Sequence, residues 1–228
     1  MFTEKTIEFL LENKFQNSTE WFHDHHGEYE KYVLNPMREY VSDLADFMTS
    51  IDEKICTEPK VNVTISRIAR DIRFSNDKSL YKEHMWVSFR RDRKSYKHYP
   101  EFVFSFDKDR FILGVGYYMM YPKSAEAMRN FILENDKDAI KAIKSARKTD
   151  GLIYGGDSYK RTKYPDKPED ERFWLDMKSP FFFIQNSDAS VLFSDKITDY
   201  SINIFSQYAD IYKFLVKSEE KARNSYLK

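Results

Sequence analysis

The chain has 228 residues, 32% of them charged and 17% aromatic, and its 37 Lys/Arg balance its 37 Asp/Glu. One cysteine, Cys56, excludes an internal disulfide framework and a cysteine-based zinc site. A mean hydropathy of −0.69 comes with no apolar run near the length that a bilayer span needs. The first residues lack a basic region followed by an apolar run, so no signal peptide is expected, and the default reading is a cytoplasmic protein without a membrane partner.

Thr3 to Asn13 reads as a short helix with Ile7, Leu10 and Leu11 on one side. Asn17, with Glu20 three residues on, has the spacing of a cap for a second helix. Trp21, His25, Tyr29 and Tyr32 share a face of that helix, and Asn35-Pro36 is expected to stop it and start a third. Met37, Tyr40, Val41, Leu44, Met48 and Ile51 form the apolar stripe of the third helix.

After Pro59 the apolar period switches to two. Val61–Ile65 and Arg67–Phe74 read as one long strand or two broken ones, and residues 75–79 as a turn. Met85–Arg90 is a further strand. Phe102, Phe104 and Phe106 alternate with Val103 and Ser105, and Asp107-Lys108-Asp109 turns the chain into Phe111–Tyr118, the pattern of an antiparallel hairpin. Helical spacing returns near Pro122 with Ala125, Met128, Ile132 and Leu133, and Asp136 is placed to cap another helix that ends at Asp150-Gly151. Leu152 to Pro168 reads as loop. A short helix through Phe173-Trp174-Leu175, a Phe181–Gln185 strand and a long helix from Ser194 complete the chain. In that last helix Ile197, Tyr200, Ile204, Tyr208, Ile211 and Leu215 keep helical spacing. Helices before and after a run of strands predict an α+β fold with a mainly antiparallel sheet of about five strands, in a single domain spanning 1–228.

Charge is unevenly spread. Residues 1–59 carry 5 Lys/Arg against 13 Asp/Glu, a local charge of −8, and residues 60–98 carry 11 against 4, a local charge of +7. Either the acidic part docks on the basic middle, or the middle attracts an anion. Within it, Arg67, Ala69, Asp71 and Arg73 fall on one face of an extended chain, and Ser66, Ile68, Arg70, Ile72 and Phe74 on the other.

The run Ser66-Arg-Ile-Ala-Arg-Asp-Ile-Arg-Phe-Ser-Asn-Asp-Lys78, followed by Tyr81-Lys82, resembles domain-of-unknown-function family 2461. The likeness extends to Glu20-Trp21-Phe22 with His25 and Tyr29, to Gly114-Val-Gly116, and to Gly156 followed by Lys160-Arg161. It covers the chain from the first helix to at least Lys178 and implies one shared domain. It supplies no activity. Ala69 stands where the family usually has an aromatic or His, and Leu80 where it usually has Pro. Asp166-Lys167-Pro168 replaces an Asp-His-Pro pattern, so no histidine can act there.

Arg67, Asp71, Arg73, Lys78 and Lys82 are the leading ligand-binding candidates. The fork of a guanidinium matches phosphate or carboxylate, and a carboxylate between two arginines fixes their orientation. An internal salt-bridge network would use the same residues. Arg70 lies on the apolar face and is expected to pair with a carboxylate or cap a helix end. Tyr159, Lys160 and Arg161 alone read as a solvated turn; the family pattern favours them as a second wall of the anion site.

His23, His25 and His26 lack the i, i+4 pairing of a helical metal site, so no metal is expected. His25 reads as a hydrogen-bonded core or cleft histidine. His84 and Asp77 are the acid–base candidates if the protein is a metal-independent hydrolase or transferase acting on an anionic substrate. There is no Walker loop, no Gly-x-Ser-x-Gly elbow and no Cys–His nucleophile. Gly114 and Gly116 lie in a strand with Met119 where a third glycine would fall, so no dinucleotide or other cofactor is implied.

Residues 86–99 mix Trp86, Phe89, Tyr96 and Tyr99 with Arg90, Arg91, Arg93, Lys94 and Lys97, a composition that suits single-stranded nucleic acid. Zero net charge argues against strong non-specific affinity, and the segment reads first as a solvated basic loop. A small phosphate- or carboxylate-bearing ligand is the partner the sequence favours, ahead of an RNA- or protein-binding role. The sequence leaves oligomeric state open.

Overall fold

The computed structural model describes residues 1–73 and 76–224. Helix α1 (Glu4–Gln16) starts where the Thr3 N–H donates to Thr6 Oγ1 at 3.1 Å. Its buried face is Thr6, Phe9, Leu10 and Asn13, one step round from the expected stripe, and Leu11 is exposed. Asn17 ends α1 in the left-handed conformation (φ 46°), which Asn tolerates through its short polar side chain. The cap of α2 (Thr19–Asp24) is therefore Ser18, whose Oγ accepts the Trp21 N–H at 3.2 Å.

Asn35-Pro36 does not stop the helix. After α3 (His26–Tyr29) the chain widens to a π-helical turn, Glu30–Leu34, and runs on into α4 (Asn35–Ile51). A proline inside a helix removes one N–H and crowds the carbonyl four residues back. The wider turn lets the Asn35 N–H reach the Glu30 carbonyl. The Tyr32 carbonyl, which Pro36 cannot serve, accepts instead from buried Thr6 Oγ1 at 2.7 Å. Along α4 the expected stripe is buried from Met37 to Met48.

Six strands form one antiparallel sheet in the middle of the chain, one more than expected: β1 (Ile55–Cys56), β2 (Met85–Arg91), β3 (Glu101–Phe106), β4 (Phe111–Gly116), β5 (Ile153–Ser158) and β6 (Met177–Asn186). Their order is β1-β2-β3-β4-β6-β5. The Asp107 turn between β3 and β4 forms as expected, its Oδ1 accepting the N–H groups of Asp109 and Arg110. Strand β5 occupies part of the expected loop and pairs Gly155 with Phe181 and Gly156 with Pro180. At Gly156 (φ +91°) a Cβ would lie 2.0 Å from the Ser179 carbonyl oxygen, so only glycine brings the strands this close. Residues 61–73, expected as strand, hold only isolated bridges, Val61 to Ile65, Ile65 to Val87 and Ala69 to Tyr81.

Helices α5 (Pro122–Leu133) and α6 (Lys137–Lys148) follow β4, and Asp136 caps α6 through the N–H groups of Asp138 and Ala139. Helix α7 (Glu169–Asp176) leads into β6, and α8 (Ala189–Leu192) precedes the long α9 (Ile197–Asn224).

The chain packs as two compact units. The first comprises Met1–Phe89, Val103–Ile112 and Gln185–Ile202; its core includes Phe2 against Phe106 (4.9 Å between rings) and Tyr40 against Phe104 (4.4 Å). The second comprises Arg90–Phe102, Leu113–Ile184 and Asn203–Lys228; Trp174 packs on Phe182 at 4.4 Å and Phe102 on Tyr212 at 4.8 Å.

Candidate functional site

The basic stretch from Ser66 is one arm of an irregular hairpin. Lys60 turns the chain, its carbonyl accepting from Val63, Thr64 and Ile65, with Asn62 left-handed at φ +69°. The Ser66 N–H then bonds the Trp86 carbonyl, the Lys82 N–H the Ile68 carbonyl, and the Arg70 N–H the Leu80 carbonyl, at 2.8–3.0 Å. Ser66 Oγ accepts the Trp86 N–H at 3.0 Å, so a side chain stands in for a ladder carbonyl and regular pairing breaks. The other arm is anchored from the N-terminal helices: Asn17 Oδ1 accepts the Leu80 N–H at 2.7 Å, and Tyr81 packs on Phe22 at 5.0 Å.

The expected two-face alternation survives over 66–70, where Ser66 and Ile68 are buried and Arg67 and Ala69 exposed. It fails beyond, since Ile72 is exposed. Phe74 and Ser75, assigned above to the strand and the turn, lie outside the described residues.

Asp71 forms a fork with Arg73, accepting from Nε at 2.9 Å and a terminal nitrogen at 2.7 Å. Those bonds from Arg73 hold its carboxyl well below the usual carboxylate range. Arg67 approaches Asp71 only to 3.7 Å, with half its side chain in solvent. Arg70 pairs with Asp77 at 3.2 Å, as its place on the apolar face suggested, yet its Nε is buried with no acceptor among the described residues. Asp77 also accepts from Ser79, which holds it below its ordinary range. Lys78 donates to the Ile72 carbonyl at 2.8 Å.

Lys82 is the unusual member. It is 8% exposed, donates to the Arg67 carbonyl, and its Nζ lies 4.3 Å from the centre of the Trp86 ring. Among the described residues no carboxylate comes within 4.0 Å of it. Burial, and then the positive charges of Arg67 and Arg70, lower its pKa to about 8. His84 lies beyond the same indole, ring centres 5.8 Å apart and 21° from parallel. Burial, Lys82 and Arg70 push its pKa down and keep the imidazole neutral at neutral pH.

The acidic N-terminal segment does not neutralise this cluster. Among the described residues no ion pair joins its carboxylates to Arg67, Arg70 or Lys82. Lys14–Glu83 (2.7 Å) links the two regions with the opposite polarity.

Lys160 and Arg161 belong to the second unit, exposed after β5. Beside them Tyr159 gathers Lys163 (4.2 Å), Lys178 (5.0 Å) and Arg129 (5.3 Å) around its ring. The Tyr159 N–H bonds the Asp176 carbonyl, and the Arg129 guanidinium donates to the Leu175 and Met177 carbonyls. His25 stacks on Trp21 at 4.1 Å, with Nδ1 2.8 Å from the Trp21 carbonyl. No group of three metal-ligating side chains occurs among the described residues.

A family model described as a conserved hypothetical protein, DUF2461, matches residues 5–214 of this chain. The chain belongs to the DUF2461 family. The match runs from α1 into α9, so it spans the whole Ser66–His84 hairpin. No curated protein matches the chain. Among the described residues of this DUF2461 member, no helix is long and apolar enough to cross a membrane.

Sequence reading missed the part played by Trp86. Residues 82, 84 and 86 alternate along one arm, and that spacing was the available signal.

Proposed function

We propose that this protein binds a small phosphate- or carboxylate-bearing ligand at Arg67, Arg70 and Lys82. The observation that carries the reading is the Lys82 ammonium, buried against an indole and a carbonyl with two guanidinium groups nearby and, among the described residues, no carboxylate within 4.0 Å. A buried charge without a counter-ion destabilises the fold unless something else compensates. An oxyanion would restore the charge balance and supply an acceptor for Arg70 Nε.

In this reading Arg73 and Lys78 leave the set that touches the ligand, and Asp71 keeps the orienting part that the sequence suggested. Arg73 is held by Asp71 and Lys78 by a backbone carbonyl, so these residues shape the rim while Arg67 remains able to turn onto a ligand. Lys160 and Arg161 are not needed for this reading.

Isothermal titration calorimetry with inorganic phosphate and pyrophosphate is the test. Wild-type protein binds at least one of them at pH 7, and Lys82→Met or Arg67→Ala weakens that binding tenfold or more. Equal binding by wild type and both variants would overturn the proposal. Because an anion favours the charged lysine, affinity should also fall as pH rises through about 8.

A hydrolase or transferase acting on the same anion is the second reading. It is favoured by His84, a neutral imidazole beside the cluster and hence a base ready to accept a proton. Asp77, ionised and paired with Arg70, is the weaker base. Turnover of a phosphoester panel that disappears in His84→Gln would support this reading; no turnover on any member would rule it out.

A further inference from the structure

A second candidate site lies wholly within the second unit, independent of the cluster around Lys82. A cleft of about 290 Å³ is lined by Arg90, Arg93, Tyr96, Lys97, Tyr118 and Met119, with His98, Tyr99 and Glu101 completing its wall. That volume is close to the lower bound of about 300 Å³ for small-molecule pockets.

The loop that forms one side is built in place. Arg223, on α9, donates to the Ser95 carbonyl at 3.1 Å and the Lys97 carbonyl at 3.0 Å. Asp92 accepts from the Ser95 N–H and hydroxyl, and Arg91 pairs with Glu220 at 2.9 Å. The guanidinium groups of Arg91 and Arg223 lie 4.9 and 4.6 Å from the Tyr99 ring, which Tyr96 meets edge-on at 5.1 Å. The basic segment that read as a solvated loop is therefore tied to a helix at four points.

The opposite side is as firmly placed. Tyr117 and Met120 are buried, the Tyr117 N–H bonding the Pro180 carbonyl and the Met120 N–H bonding Ser179 Oγ, both at 2.9 Å. Between these anchors Tyr118 is 93% exposed and Met119 49% exposed. Fraying does not account for that exposure, because the flanking residues are fixed. His98 meets Tyr121 at 4.2 Å beside them.

Charge in the cleft is one-sided. Three cations, Arg90, Arg93 and Lys97, face one carboxylate, Glu101, which Arg90 already holds at 3.2 Å. Among the described residues Arg93 and Lys97 join no ion pair. The exposed Tyr118 ring beside uncommitted cations matches a planar ring that carries a phosphate.

We propose that this cleft binds a nucleotide unit, its base stacked on Tyr118 and its phosphate held by Arg93 and Lys97. The unit is either a free mononucleotide or one residue of a single strand, and the two sources are separable by experiment. AMP is titrated by calorimetry, and a labelled oligoadenylate by fluorescence anisotropy, both at low salt against the full chain.

Binding of AMP assigns a mononucleotide site; binding of oligoadenylate alone assigns a strand. In either case Tyr118→Ala and Lys97→Ala each weaken binding about tenfold, a typical effect of losing one stacking face or one phosphate contact. Lys97→Ala also flattens the salt dependence for oligoadenylate. Tyr118 is exposed, so its loss leaves the fold intact, and an unchanged melting temperature checks this. The proposal is overturned if neither probe binds, if Tyr118→Ala binds as wild type does, or if inorganic phosphate competes as well as AMP.

Discussion

Lys82 shows how one residue can argue for a ligand. An ammonium taken out of water loses hydration, and near Arg67 and Arg70 it also meets like charge, so its folded pKa falls to about 8 from an ordinary 10.5. The sign of the stability effect follows. Between pH 8 and 10.5 the unfolded chain holds the proton that the folded chain has released, so this group's contribution makes the fold more stable as pH rises across that window. Denaturant melts at pH 8 and 10 should show that increment in wild type and lose it in Lys82→Met; an identical pH response in both would refute the assignment. Asp71 and Arg73 show the opposite case. They satisfy each other in solvent, where screening leaves such a pair little net effect, so it is a weak reason to see either a site or a stabilising network.

At the scale of elements, Thr6 and Pro36 make one device out of two helices. The proline removes the N–H that Tyr32's carbonyl would take, the π turn absorbs the ring, and the Thr6 hydroxyl on α1 fills the vacancy. Thr6→Val keeps the shape but removes both the donor to the Tyr32 carbonyl and the acceptor of the Thr3 N–H, leaving two part-buried backbone groups unserved, which costs about 1–3 kcal/mol. Urea unfolding of this variant should show that loss; stability within a few tenths of a kcal/mol of wild type would mean that both backbone groups find other partners. The same scale explains what the sequence could reveal. Helix α4, the β3–β4 hairpin with its Asp107 turn, and α9 were legible because their apolar periods are long and uninterrupted. Strand β1 has two residues and cannot display a period. Strand β5 carries Gly155 and Gly156, which normally mark a turn but here permit close approach to β6. The stretch from Arg67 alternates as a strand does, yet its partner arm is met through Ser66 Oγ and scattered bridges, a geometry that period alone cannot distinguish from a ladder.

For the whole molecule, the uneven charge distribution posed a choice between internal docking and ligand attraction. The ion pairs decide against simple neutralisation at the cluster: Arg67, Arg70 and Arg73 meet Asp71 and Asp77 from their own stretch, and among the described residues no carboxylate of the N-terminal segment pairs with Arg67, Arg70 or Lys82. Arg67 and Lys82 could be named as candidates from sequence. That no carboxylate among the described residues would reach Lys82 could not, because it depends on where α1 and α2 place their charges. Nor could the cleft between Arg93 and Tyr118 be read in advance, since Tyr118 stands 25 residues beyond Arg93 and only the folded chain lines one cleft with both.

A ligand that binds only the folded state stabilises it by RT ln(1 + [L]/Kd), about 2.7 kcal/mol at a hundredfold excess over Kd. The most direct measurement is therefore the melting temperature of wild type and Lys82→Met at pH 7, each with and without inorganic phosphate or pyrophosphate. The account predicts that Lys82→Met melts at or above wild type without anion, because an uncompensated buried charge has gone, and that only wild type gains stability when anion is added. A variant that melts well below wild type without anion, or that gains as much as wild type when it is added, would contradict it.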